Sequence, residues 1–252
     1  MSGVNRQEIS AIAHTDHPIA NPLSLGSVDQ LLDRALRPDD RRVLDLGCGN
    51  ASWLIRALST RPLLVADGVD TDTATLARTR RSLDAGLADR LTLHDGDARD
   101  FRAAQGYDLV LSVGSVHAFG GREATLDALA KHLAPGGRVL FGDGFWEREP
   151  NKATLDLGFV AADHDTLADT VDAVVAAGWT PIYGHVSTQQ EWDDYEWSWS
   201  GSLARWALEH PDHPDGAEAL ATAQAHRTGW LRGYRGVLGL VTLLLQRTDQ
   251  AA

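Results

Sequence analysis

Residues 43–51 read Val-Leu-Asp-Leu-Gly-Cys-Gly-Asn-Ala: an apolar run ends in an acid, then breaks into two glycines one residue apart. The next eight residues, Ala51 to Leu58, take helical spacing. A buried strand, a glycine turn and a helix start are how a doubly wound α/β sheet holds an adenosine-bearing cofactor. Glycine is needed where a Cβ would keep the backbone off the ligand, and free N–H groups at a helix start favour an anion.

The following segments agree with this reading. Leu63 to Ala66 leads into Gly68-Val69-Asp70, an acidic strand end about 20 residues beyond the turn, the spacing at which a carboxylate accepts ribose hydroxyls. Leu91 to His94 leads into Asp95-Gly96-Asp97-Ala98, a third strand tip carrying acids. Tyr107 to Gly114 reads as a fourth strand, and Leu133 to Phe141 as a helix end, a turn and a fifth. Each strand closes on polar or glycine residues at its C-terminal end, where open α/β sheets bind ligands.

Together LDLGCGNA, GVDTD, GDARD, YDLVLSVGS and LAPGGRVLF resemble the ordered motifs of the class I methyltransferases that use S-adenosylmethionine (SAM). The resemblance covers roughly Arg42 to Phe145. It implies SAM as cofactor, with Asp45, Gly47 and Gly49 at its methionine end and Asp70 on the ribose hydroxyls. It also implies Asp97 with Ala98 at the adenine, and Gly114 with Ser115 facing the sulfonium. Cys48 and Thr71, inside the same two turns, join the implied cofactor-binding set. Ala51 stands where the family usually has a third glycine. NAD is the rival ligand, and Gly47, Gly49 and Ser52 nearly match its fingerprint. The third-strand acid and the LAPGG turn are not needed by a pyrophosphate site. A weaker resemblance of GDGFWEREP, EWDDYEW and HPIANPLS is to a bacterial branch of the class whose members are assigned only as methyltransferases.

The expected fold is α/β, a doubly wound, seven-stranded Rossmann-like sheet with an antiparallel last strand and a helical cap insertion. The expected divisions are an N-terminal segment over residues 1–26, able to act as a lid, and a SAM-binding core over 27–190. A cap over 191–235 follows, then the last strand and tail over 236–252. Residues 1–26 show no sustained periodicity, and Ser27 reads as the cap of a helix from Val28 to Leu36. Helices are expected near 165–177, 192–209 and 217–234, and strands over 181–186 and 238–245. Six of the eight tryptophans lie between Trp179 and Trp230. Trp192, Tyr195, Trp199 and Trp206 share a helical face and Trp197 does not, which suits either a small satellite core or an aromatic wall around a substrate.

Chemistry narrows the candidates. Methyl transfer needs nucleophile, carbon and sulfur held in line, and a base only when the acceptor carries a firmly held proton. His117, in the loop after the fourth strand, is a candidate base or a hydrogen-bonding partner of the loop. Tyr195 is a second candidate catalytic residue, with Glu147 beside it in rank, and His14 and His17 could fold over the site. His210-Pro-Asp-His213 reads as a surface turn rather than a metal pair, and no metal site is expected. Cys48, the sole cysteine, leaves no internal disulfide.

A net charge of −12 opposes nucleic acid as a partner. The longest apolar stretch, Gly236 to Leu245, is too short for a membrane span, and with no signal-like N-terminus the expected location is cytoplasmic. The expected activity is methylation of an O, N, S or C atom of a small molecule. Methylation of a protein or peptide, and a SAM-using reaction without methylation such as intramolecular cyclisation, stand as alternatives. Oligomeric state, acceptor and acceptor atom are not encoded in any motif.

Overall fold

The computed structural model describes residues 6–248, the side chains of residues 6–8 and 10 excepted. In chain order it holds helices α1 (Arg6–Ala13) and α2 (Leu25–Ala35), strand β1 (Arg42–Leu46), helix α3 (Ser52–Thr60) and strand β2 (Val65–Asp70). Helices α4 (Thr73–Ser82) and α5 (Ala85–Ala88) precede strands β3 (Leu91–Asp95) and β4 (Tyr107–Val113). Next come α6 (Val116–Phe119), α7 (Arg122–Ala130), β5 (Leu133–Trp146), α8 (Lys152–Leu155), α9 (Leu167–Ala176) and β6 (Trp179–Val186). Last are α10 (Gln189–Glu209), α11 (Gly216–Gly229), a π-helical turn (Trp230–Tyr234) and β7 (Leu238–Arg247).

The seven strands form one sheet in the order β3-β2-β1-β4-β5-β7-β6. Pairs β1/β2, β1/β4, β2/β3 and β4/β5 are parallel, while β7 runs antiparallel to β6. This is the expected doubly wound sheet with its reversed last strand. Strand order reverses between β1 and β4, which places a ligand crevice at the C-terminal ends of those two strands. Strands β1 and β4 read as mainly apolar runs, interrupted by Asp45 in β1 and by Asp108 and Ser112 in β4, because Val43, Leu44, Leu46, Leu109, Val110 and Leu111 are all fully buried, as strands covered on both faces must be. Edge strand β6 instead alternates buried or partly buried with exposed positions.

Two compact units divide the chain. The first, Leu25–Gly144 with Leu167–Val186 and Leu240–Ala252, carries most of the sheet and helices α2–α7 and α9. Helix α2 begins at Leu25, so Ser27 lies in its first turn and does not cap it; Val28, Leu31, Leu32 and Ala35 form its buried face. A partly buried ion pair ties α7 to β5, with Arg122 Nε donating to Asp143 Oδ2 at 2.8 Å.

The second unit comprises Met1–Ser24, Phe145–Thr166 and Ser187–Gly239. Its centre is α10 packed on α11, with Leu203, Ala207, Ala219 and Ala223 buried between them. Helix α10 starts with a reciprocal cap: Thr188 Oγ1 accepts from the Glu191 N–H and the Glu191 carboxylate accepts from the Thr188 N–H. The N-terminal segment, which shows no periodicity in sequence, holds a helix, because Ile9 and Ile12 find a partner in the α10–α11 cluster. Asp16 fastens the segment, accepting from Ser202 Oγ at 2.8 Å and from Arg205. Helix α11 ends at Gly229 and the chain passes into the π-helical turn, where a continuous helix to residue 234 was expected.

Candidate functional site

In the first unit the turn after β1 is locked from below. The N–H groups of Gly47 and Cys48 both donate to the Val69 carbonyl at the end of β2, at 2.9 and 3.0 Å. Gly49 N–H donates to Asp70 Oδ2 at 2.7 Å, and Asp72 N–H to Asp70 Oδ1 at 2.9 Å. Ser52 N–H, at the start of α3, is taken by Asn50 Oδ1 at 3.1 Å. The donors expected to attract an anion are thus largely satisfied inside the turn. What the turn presents instead is acid.

Asp45, 3% exposed at the end of β1, is pushed up to about 8 by burial and then by the charge of Asp70. A carboxyl held this far up is poised to ionise when a cation reaches it. The two glycines differ in what requires them. A Cβ on Gly47 would fall 2.7 Å from both Cβ and Oγ of Ser115, so this glycine is fixed by packing within the protein. Gly49 has φ +52° and open space where a Cβ would point, which leaves room for a ligand. Ala51, at φ +58°, adopts the left-handed conformation in place of a third glycine.

Ser115 is buried, its hydroxyl shared with Ser112 Oγ at 2.7 Å and bonded to the Leu46 carbonyl at 3.1 Å. It therefore braces β1 against β4, and Gly114 beside it is exposed at φ +77°. Cys48 is buried with its sulfur against Gly68, where a Cβ would come within 2.9 Å; burial, then Asp45 and Asp70, hold its thiol well above the ordinary range. Thr71 lies between Asp70 and Asp72, the residue that caps α4 through Thr75. At the tip of β3, Gly96 N–H reaches the Asp70 carbonyl, Ala98 is buried, and Asp97 grips Arg99, which pulls its carboxyl down to about 2.

The structure thus gathers Asp45, Gly47, Cys48, Gly49, Asp70, Thr71, Asp97, Ala98, Gly114 and Ser115 along neighbouring strand ends of one sheet. His117, on α6 of the same unit, is exposed and makes no side-chain hydrogen bond among the described residues. Glu147 is exposed too and belongs to the second unit.

Tyr195 also belongs to the second unit, half-buried against His14 and His17, with ring centres at 5.7 and 5.4 Å. Burial, then the neighbouring Glu196, push its phenol up, so it holds its proton at neutral pH and can donate but not serve as a base. The aromatic face of α10 splits by role: Trp192 and Tyr195 line a cavity, Trp199 and Trp206 pack on the helical cluster, and Trp197 is half exposed against Trp230. His210 and His213 flank Trp206 in the loop between the helices. Glu196, buried beside Tyr195, was missed in the sequence; it bonds His226 and Tyr234. Its signal was there, because positions 192, 195, 196 and 199 share one helical face and an acid among aromatics is out of place.

A family model described as a methyltransferase domain matches residues 44–139. A SAM-dependent methyltransferase from Geobacter sulfurreducens, solved in complex with S-adenosyl-L-homocysteine, superposes with a TM-score of 0.86 at 26% identity over 98% of this chain and 100% of that one. These likenesses support a class I SAM-dependent methyltransferase. This methyltransferase is also similar to the uncharacterized protein YjhP of Escherichia coli, 28% identical over 84% of the chain and 87% of YjhP. To trans-aconitate 2-methyltransferase of Streptomyces avermitilis it is 32% identical over 64% of the chain and 59% of that enzyme, so it spans about three fifths of that relative's length. Among its described residues no helix is long and apolar enough to cross a membrane.

Proposed function

We propose that this methyltransferase binds SAM at the β1, β2 and β3 strand ends and passes the methyl group to a small-molecule acceptor. The observation that carries the cofactor assignment is the pairing of two acids, Asp45 and Asp70, with a turn whose N–H groups are already engaged. A pyrophosphate needs free donors; a cationic amino-acid arm needs acids. When bound, SAM supplies a methyl group already activated by positive sulfur.

The chain's own residues then hold and exclude. Asp45 would meet the amino group of the methionine arm, with Gly49 giving backbone access, Gly47 closing the turn against Ser115 and Cys48 filling the space behind. Asp70, with Thr71 beside it, keeps lone pairs for the ribose hydroxyls while its other contacts fix the turn. Asp97 and Ala98 border the adenine, and Gly114 and Ser115 the sulfonium. His117 and Tyr195 are the residues to test for acceptor contact, Tyr195 as a donor.

A small-molecule acceptor is supported by the aromatic-walled cavity of the second unit and by the small molecule for which the trans-aconitate relative is named. The divisions that go with this reading are a SAM core over 27–190 closed by 236–252, and acceptor selection by 191–235 together with 1–26. The charge of −12 argues against nucleic acid, and a cytoplasmic location suits a cofactor made there. Calorimetric titration with SAM, S-adenosylhomocysteine and NAD in parallel tests the reading: the two adenosyl-sulfur ligands should bind and NAD should be silent. Heat from NAD alone would overturn it.

A further inference from the structure

Within the second unit a cavity of about 450 Å³ is lined by four aromatic rings, Phe159, Trp192, Tyr195 and Tyr234, with His226 and Glu196 beside them. The volume lies in the range of small-ligand sites. Tyr234 is the middle wall. Phe159 stands at 61° to it with ring centres 5.9 Å apart, and Trp192 at 69° and 6.3 Å. These rings meet as sides of a box and do not stack on one another. Among the described residues no lysine or arginine lines the box, and the rest of its lining is aliphatic or glycine.

The one carboxylate on this lining is Glu196, whose side chain is only 3% exposed. Both of its oxygens already hold donors. The Tyr234 hydroxyl donates to Oε1 at 2.8 Å, and His226 Nε2 reaches Oε2 at 2.6 Å through an N–H that an imidazole offers without being charged. Burial, then the charge of His17, lower the pKa of the nearby His14, so it stays neutral. Burial, then Glu196, push Tyr195 and Tyr234 up, so both phenols keep their protons and their rings remain neutral walls. Among the described residues Glu196 meets no lysine or arginine. A buried carboxylate with hydrogen bonds but no cation is costly, and a cation entering the box would offset that cost.

The kind of cation follows from the same contacts. A primary ammonium brings three N–H groups that need acceptors, and the oxygens of Glu196 are already engaged. An anion would be repelled by that charge, and a neutral ring would leave it unbalanced. A quaternary ammonium carries no N–H, needs no acceptor, and is drawn at once to aromatic faces and to a carboxylate close by. We propose that this box binds a small quaternary ammonium compound, with the aromatic faces around its alkyl groups and Glu196 as the counter-charge. Binding here asks nothing of the cofactor turn, so the SAM reading and this site succeed or fail separately.

The probe is choline, titrated calorimetrically into the full chain at about pH 8, where a free imidazole is neutral. One control is 3,3-dimethylbutan-1-ol, the same shape with carbon in place of the charged nitrogen. The other is ethanolamine, the same chain ending in a primary ammonium. Choline should bind saturably, and each control about tenfold more weakly or not at all. Trp192→Leu removes a wall and should weaken choline about tenfold. Glu196→Gln keeps an oxygen but loses the charge, and should weaken choline while leaving the carbon isostere unaffected. Trp197→Leu, at a residue outside the lining, should change neither. Circular dichroism reports that each variant is folded; if Glu196→Gln is not, Trp192→Leu and the two controls decide. A folded wild type that ignores choline would overturn the proposal. So would a carbon isostere or ethanolamine bound as tightly as choline, or a folded Trp192→Leu with wild-type affinity.

Discussion

The Gly49 N–H donates to Asp70 Oδ2 at 2.7 Å, joining the turn after β1 to the tip of β2 by a charge-assisted bond. Asp70 therefore does two jobs, shaping the turn and offering lone pairs to a ribose. Replacing it with Ala should weaken SAM binding by roughly 1 to 3 kcal/mol through the loss of such bonds. Calorimetry against the wild type measures this directly, and an unchanged affinity would remove Asp70 from the site.

The raised carboxyl of Asp45 makes stability depend on pH. Its folded value of about 8 lies above its unfolded value near 3.8, so its contribution is complete below pH 4 and is lost as pH climbs towards and through 8. Asp45→Asn should remove a slope of up to about 1.4 kcal/mol per pH unit in that window. Urea unfolding of both proteins at several pH values will show the two curves diverging upward in pH. The same group predicts that SAM binding near pH 7 releases a proton, visible as a binding heat that varies with the buffer's ionisation enthalpy.

Gly47 and Gly49 should separate stability from binding. Gly47→Ala drives a Cβ to 2.7 Å from Ser115 at φ +88°, and should cost roughly 2 to 4 kcal/mol of folding stability. Gly49→Ala meets no protein atom, and Ala51 already tolerates a similar φ; about 1 kcal/mol of stability should go. Its larger effect should be on affinity for S-adenosylhomocysteine. Equal effects of the two substitutions on denaturation midpoint would contradict this division.

Arg122, partly buried, pairs with the buried Asp143 and also reaches Thr170 Oγ1 at 3.2 Å. Arg122→Met leaves the carboxylate buried without its cation and should destabilise by about 3 kcal/mol. Adding Asp143→Asn should recover part of that loss, as a double-mutant cycle in urea would reveal.

The sheet and the cofactor turn were legible because their signals are local. Strand β1, its two glycines and the acid of β2 announce themselves within about 30 residues, and both faces of the central strands are covered, so their sequences are mainly apolar. Helix α1 was not legible: Ile9 and Ile12 are too few to show a period, and the helix stands by packing on α10. The π-helical turn has no compositional mark. The cluster around Glu196 joins residues 30 and 38 positions apart, and no local pattern announces that a histidine and a tyrosine on later segments will return to it. The occupied donors of the glycine turn were likewise invisible, since Val69 and Asp70 reach them from the next strand.

The single thiol of this protein is sealed between the turn and Gly68. It is thereby a built-in clock for that turn: a disulfide reagent can reach it only while the loop has swung away from β2. The rate of its capture under excess reagent counts those excursions one molecule at a time, with no label added and no other cysteine to confuse the count. A ligand seated in the turn would slow the clock in proportion to its occupancy.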